Sequence, residues 1–117
     1  MKEFDPSLIP RFTVVRIPYK FVGVAYDETK RFVILGHREG YAICIKATTK
    51  VEIYKNNPER LSGCVYYQAK EVTFFETETV IQPDNPFPIP HPYIADCEKN
   101  GKLQILGNLP KDFVSVR

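Results

Sequence analysis

The sequence contains no tryptophan, one methionine, two histidines and three cysteines in 117 residues. These scarcities remove whole classes of chemistry. Cys44, Cys64 and Cys97 are odd in number, far apart and without CxxC spacing, so neither a disulfide framework nor a zinc site is expected. GxSxG, Walker and HExxH patterns are absent, and no cofactor is called for. No apolar run approaches the roughly 18 residues of a membrane span, and the opening MKEFDPSLIP has charges and prolines where a secretory leader needs an unbroken apolar core. The expectation is a cytoplasmic protein with no membrane partner, no metal and no cofactor.

What is present is ordinary for a globular chain: 44% hydrophobic and 26% charged residues, in a length typical of one domain. With no internal repeat and no Gly/Ser-rich linker, residues 1–117 read as a single domain. The net charge of +2 conceals an imbalance. Residues 1–70 hold 12 Lys/Arg against 7 Asp/Glu, a net +5, whereas residues 71–117 hold 4 against 7, a net −3. A basic half of this kind suits phosphate-bearing partners.

Runs of β-branched and aromatic residues dominate the pattern. Residues 11–17 (RFTVVRI) and 20–26 (KFVGVAY) read as strands separated by a corner at Pro18, because proline interrupts a central strand. A polar turn at Asp27 to Lys30 leads to a strand over Arg31 to Leu35, and Gly36 to Gly40 reads as a hairpin loop. From Tyr41 to Tyr54 the period-2 alternation predicts one long strand, with Ile45, Ala47, Thr49, Val51 and Ile53 inward and Lys46, Thr48 and Lys50 on the solvent face. Asn57 followed by Pro58 is the signature of a capped helical turn.

Residues 62–67 and 71–75 read as a hairpin, followed by a strand from Thr79 to Gln82. The five prolines between Pro83 and Pro92 predict an ordered, extended segment anchored by Phe87 and Ile89. A short helix is expected at 92–99, ended by Asn100-Gly101, then a strand over Lys102 to Leu106. Many short strands at close spacing favour a small barrel over a sandwich, so the fold class is mainly β with one short helix in the C-terminal half.

One constellation carries potential chemistry. Lys30, Arg31, His37, Arg38, Lys46, Thr48 and Lys50 form a basic and hydroxyl set that adjacent hairpin strands could bring together. Guanidinium and hydroxyl donors can stabilise a phosphorane without a metal. The competing reading is a solvated strand face whose lysines discourage edge pairing. His37 reads as an exposed loop residue or a general base, and His91 as a turn residue between prolines. Cys44 and Cys64 read as small core residues. Tyr66, Tyr67, Phe74 and Phe75 supply core filling, with outward members available to stack on bases.

Three segments resemble the MazF/PemK-like toxins: Lys30-Arg31-Phe32-Val33-Ile34-Leu35, Ile45-Lys46-Ala47-Thr48-Thr49, and Gly63-Cys64-Val65-Tyr66-Tyr67 with Thr79-Val80-Ile81. The chain departs from that pattern in having Phe32 where the family has proline after the arginine, and in the proline-rich segment 83–92. The resemblance implies an SH3-like barrel that cuts single-stranded RNA without metal. It assigns Arg31 and Thr48 as catalytic, with Thr49 as the alternative hydroxyl, and implies an acidic antitoxin peptide and a homodimer as partners. Lys30, His37, Arg38, Lys46, Thr49 and Lys50 would then contact RNA. The alternative is a non-catalytic β-barrel module that binds a protein or nucleic-acid partner, with Pro83–Pro92 as a rigid epitope.

Overall fold

The computed structural model describes residues 4–19, 28–83 and 85–110, apart from the side chains of Glu28 and Ser62. The chain is mainly β: one curled, wholly antiparallel sheet forms a half-barrel, with short helical pieces around it. Its strands are β1 (Thr13–Tyr19), β2 (Glu28–Arg38), β3 (Tyr41–Thr48), β4 (Val65–Tyr67), β5 (Thr79–Ile81), β6 (Phe87–Pro90) and β7 (Gln104–Asn108). They lie in the order β4-β5-β3-β2-β1-β7, and β6 pairs with Tyr41 to Cys44 of β3, on a stretch separate from the Ala47-Thr48 pairing with β5. The helical pieces are a 3-10 turn (Pro6–Leu8), α1 (Glu52–Lys55), α2 (Pro58–Ser62) and α3 (His91–Lys99).

Both faces of the sheet are covered, which is why the central strands carry consecutive apolar residues rather than a clean alternation. On one face Val14, Val33 and Ile45 stand in a row across β1, β2 and β3 and pack with Val65, Phe75, Ile81 and Leu109. On the other, Val15, Ile17, Phe32, Ile34 and Cys44 pack beneath Ile89 of β6 and Ile94 and Cys97 of α3. Phe32 lies edge-on to both Tyr19 and Phe87. Leu35 is the extra residue of a bulge in β2, since Ile34 faces Cys44 while Gly36 faces Ile43.

Several elements form where the sequence placed them. Asn57 caps α2 by accepting the Arg60 amide at 3.3 Å, with Pro58 at the first helical position. The proline-rich segment is extended as β6, with Ile89 fully buried and Phe87 half-buried. Both anchors pack into the core, so this segment is a strand of the sheet. α3 ends at Asn100, and Gly101 takes the positive φ of 70°.

Other expectations are corrected. Pro18 lies inside β1, opposite Thr29; β7 pairs β1 only as far as Arg16, so the proline sits where β1 has a single neighbour. The stretch 20–26 expected as a strand falls outside the described residues. Thr29 and Lys30 belong to β2 and not to a turn, and the hairpin that follows is the two-residue turn Glu39-Gly40, with φ of 47° and 87°. The expected strand 41–54 stops at Thr48, and Val51 and Tyr54 are buried by α1 while Ile53 is 53% exposed. β4 pairs with β5, and residues 71–75 are turn and coil that bring Phe75 into the core. The last strand runs over Gln104–Asn108. Among the described residues no helix is long and apolar enough to cross a membrane.

A candidate anion-binding cleft

In an antiparallel sheet, residues paired across strands project from the same face. Arg16 pairs with Arg31, and Arg31 pairs with Ala47, so these three form the next row along the face that carries Val14, Val33 and Ile45. The core covers that face at Val14, Val33 and Ile45 and also buries Ala47 of the next row, beside which stand the two arginines. Like charges directly opposite each other destabilise a sheet by a few tenths to about 1 kcal/mol. The arginine pair is therefore a local cost, and it has a use once an anion sits between them.

Around this row is an open cleft of about 420 Å³. Thr29, Lys30 and Arg31 line it from β2, and Lys46 and Thr48 from β3. Thr49 and Lys50 close it from the turn before α1. No carboxylate is among the described residues that line it. Arg31 is half-buried, and its Nε is buried with no hydrogen-bond partner among the described residues. A buried donor without an acceptor is costly, so this group favours a ligand that brings oxygen atoms. Arg16 is exposed and its Nη1 reaches Gln104 Oε1 of β7 at 3.5 Å, a weak bond that leaves it available.

The hydroxyl arrangement is also defined. Thr48 Oγ1 accepts the Lys50 amide at 3.1 Å, which turns the chain out of β3 towards α1.

Of the residues selected from the sequence, Lys30, Arg31, Lys46, Thr48, Thr49 and Lys50 border this one cleft, but the register sets Lys30 (opposite Ile17), Lys46 (opposite Phe32) and Thr48 (opposite Val80) on the sheet face away from Arg31 and Ala47. His37 and Arg38 do not border it. They lie at the far end of β2, about 20 Å from Arg31 at the usual strand rise. There His37 is half-buried rather than in an exposed loop: its Nε2 contacts the Ile9 carbonyl at 2.8 Å and its Nδ1 contacts His91 Nε2 at 2.8 Å. A carbonyl only accepts, so Nε2 of neutral His37 carries the hydrogen and Nδ1 accepts from His91 Nε2–H. His91 is thereby a partly buried structural partner, not a surface turn residue. Burial holds its pKa below the usual histidine range, helped by His37 and opposed by Asp5.

Sequence reasoning missed Arg16. A single charge within TVVRIPY was visible, but its position beside Arg31 depends on strand register, which no local pattern supplies. Of the cysteines, Cys44 and Cys97 are buried and Cys64 is half-buried. Burial pushes the Cys44 thiol up to about 12, which makes it inert as a nucleophile. Tyr67 and Phe75 are buried, whereas Tyr66 and Phe74 are half-buried; Tyr66 donates to Glu78, which also pairs with Lys55 at 2.5 Å. Among the described residues no three His, Cys, Asp or Glu side chains stand close enough to share a metal ion.

Comparison with protein-family models, with curated proteins and with solved structures gives no match. The functional reading therefore rests on the cleft itself.

Proposed function

We propose that the cleft binds the phosphodiester backbone of single-stranded RNA and cuts it without a metal ion, as a toxin-type endoribonuclease. The observation that carries this reading is the cross-strand arginine pair, Arg16 and Arg31, beside the small Ala47 in a cleft without a carboxylate among its described lining. A phosphodiester is an oxygen-rich anion, gaining a second negative charge in the phosphorane, that two guanidinium forks and a threonine hydroxyl match well. A toxin of this kind is held in check by an acidic peptide, for which the same cationic surface is the complementary face.

In this reading the RNA 2′-oxygen attacks the adjacent phosphorus and the P–O5′ bond breaks. The products are a 2′,3′-cyclic phosphate and a 5′-hydroxyl, with the 2′-hydroxyl proton passing to the departing 5′-oxygen through water. Arg31 stabilises the charge that builds on the phosphorane oxygens, Thr49, the alternative hydroxyl two residues on from Ala47, donates to one of them, and Arg16 and Lys50 hold the flanking phosphates. His37 and Arg38, at the other end of β2, take no part.

Purified protein is expected to cut single-stranded RNA in EDTA and leave a 2′,3′-cyclic phosphate, with Arg31→Ala inactive. RNA that stays intact through prolonged incubation with wild-type protein sinks the catalytic claim. The cleft has no imidazole among its described lining to move a proton, and this favours a second reading in which the same surface binds RNA without cutting it. That reading predicts salt-sensitive binding with no products.

A further inference from the structure

We propose that the cleft continues into a nucleobase subsite on β7, read by Gln104, so that the site grips a nucleotide and its neighbouring phosphate rather than an isolated phosphate. This inference rests on the RNA reading above and deepens it. Next to the arginine cleft lies a second open furrow of about 420 Å³, and the two share Arg16 and Thr29 in their walls. The register explains the continuity. Gln104, Arg16, Arg31 and Ala47 form one row across β7, β1, β2 and β3, and Pro18 and Thr29 form the next row on the same face. Four strands at the usual spacing carry this groove across about 14 Å, longer than one phosphodiester requires.

The chemistry changes along the groove. At the β3 end the lining is lysine, arginine and threonine. At the β7 end it is Pro18 and Leu103, both half-buried, with Lys102 and Gln104 exposed beside them. Pro18, on the same face as Gln104, offers apolar surface to the face of a base, whereas a phosphate gains nothing from it; Leu103 packs into the core beneath α3. A carboxamide presents one donor and one acceptor side by side, the pattern that pairs with the N6 amino group and N7 of adenine. Gln104 Oε1 also meets Arg16 Nη1, so the base-reading group is tied to the phosphate-binding one. Lys102 then meets the phosphate on the outer side of that base.

The test uses short 2′-O-methyl oligonucleotides, which cannot attack their own phosphates, of adenylate, uridylate and cytidylate sequence, with binding followed by fluorescence anisotropy. Wild-type protein is expected to hold the oligoadenylate at least about fivefold more tightly than the others, the discrimination of one good carboxamide–adenine pair. Gln104→Leu should bring that ratio to about one while leaving the salt dependence of binding unchanged. Gln104 is exposed, and a melting curve coincident with wild type confirms that the variant folds. If wild type binds, Arg31→Ala weakens binding, and Gln104→Leu leaves the ratio as it was, the base subsite is overturned and the phosphate cleft stands. If wild type binds none of the oligonucleotides, both are overturned.

Discussion

The two ends of β2 carry similar residue types in opposite surroundings. At the Glu28 end, Arg31 sits beside Arg16 in an open, cationic cleft, with a buried Nε that finds no acceptor among the described residues. At the Arg38 end, His37 is satisfied on both ring nitrogens, by Ile9 and His91, and ties the N-terminal segment to the start of α3. Between them Phe32, Val33 and Ile34 are fully buried. A polar group with all its bonds made is accounted for by the fold, whereas one left unpaired is a candidate for binding a ligand. By that criterion the strand has a candidate binding end and a fastening end, and the following measurements separate them.

The largest effect is expected from the shared middle. Phe32→Ala should destabilise the fold by about 3–5 kcal/mol, seen as a lower denaturant midpoint, and so disable both ends at once. Arg31→Ala should lower cleavage by about 10²- to 10³-fold, the loss typical for one donor to a transition-state oxyanion. It should also reduce the slope of log affinity against log salt by about 0.7, one phosphate contact on single-stranded RNA. Its melting should be unchanged or slightly improved, because the Arg16–Arg31 repulsion is gone.

His37→Ala should show the reverse. It leaves the Ile9 carbonyl and His91 without their partner and should cost about 1–3 kcal/mol of stability, while RNA affinity holds. The pH dependence follows from the burial of His91, with His37 beside it. His91 has its pKa lowered in the fold, so the unfolded chain binds more protons. The resulting stability is fully present above the unfolded histidine value of about 6.5 and is lost as pH falls through it towards the folded value. Urea unfolding across that window should show the decline in wild type and a weaker one in His91→Phe. The smallest effect concerns the turn beside His37. Glu39 adopts a positive φ in a two-residue turn before Gly40, and Glu39→Asn should raise stability by a few tenths of a kcal/mol with no change at the cleft.

The sequence disclosed those elements whose signals are local. Asn57-Pro58 capped a helix, Asn100-Gly101 ended one, and the alternating prolines around Phe87 and Ile89 made an extended strand. Where two local patterns competed, the wrong one was legible. Val51 and Ile53 continue the strand alternation of β3, but Val51 and Tyr54, three apart, are the pair that packs against Val80, and the helical spacing prevailed. The pairing of β4 with β5 across the loop carrying Phe75 is non-local and left no mark in either segment.

The candidate site divides in the same way. Lys46, Thr48, Thr49 and Lys50 are near neighbours in sequence and arrive together at the end of β3. Arg16 and Gln104 come from strands 88 residues apart and meet only through the register of β1 and β7. His37 and Arg38 were grouped with Arg31 on the expectation that adjacent hairpin strands bring them together, but all three lie on β2. A strand keeps its residues in line but carries its ends far apart, and that distance removes them from the cleft.

The assignment of the two ends is tested most directly by residue-resolved amide NMR during titration with a 2′-O-methyl RNA oligonucleotide. The account predicts shifts concentrated at Arg16, Arg31, Thr49 and Lys50, with the amides of His37 and His91 unmoved. Shifts centred on His37, Arg38 and His91, or none anywhere at saturating RNA, would contradict it.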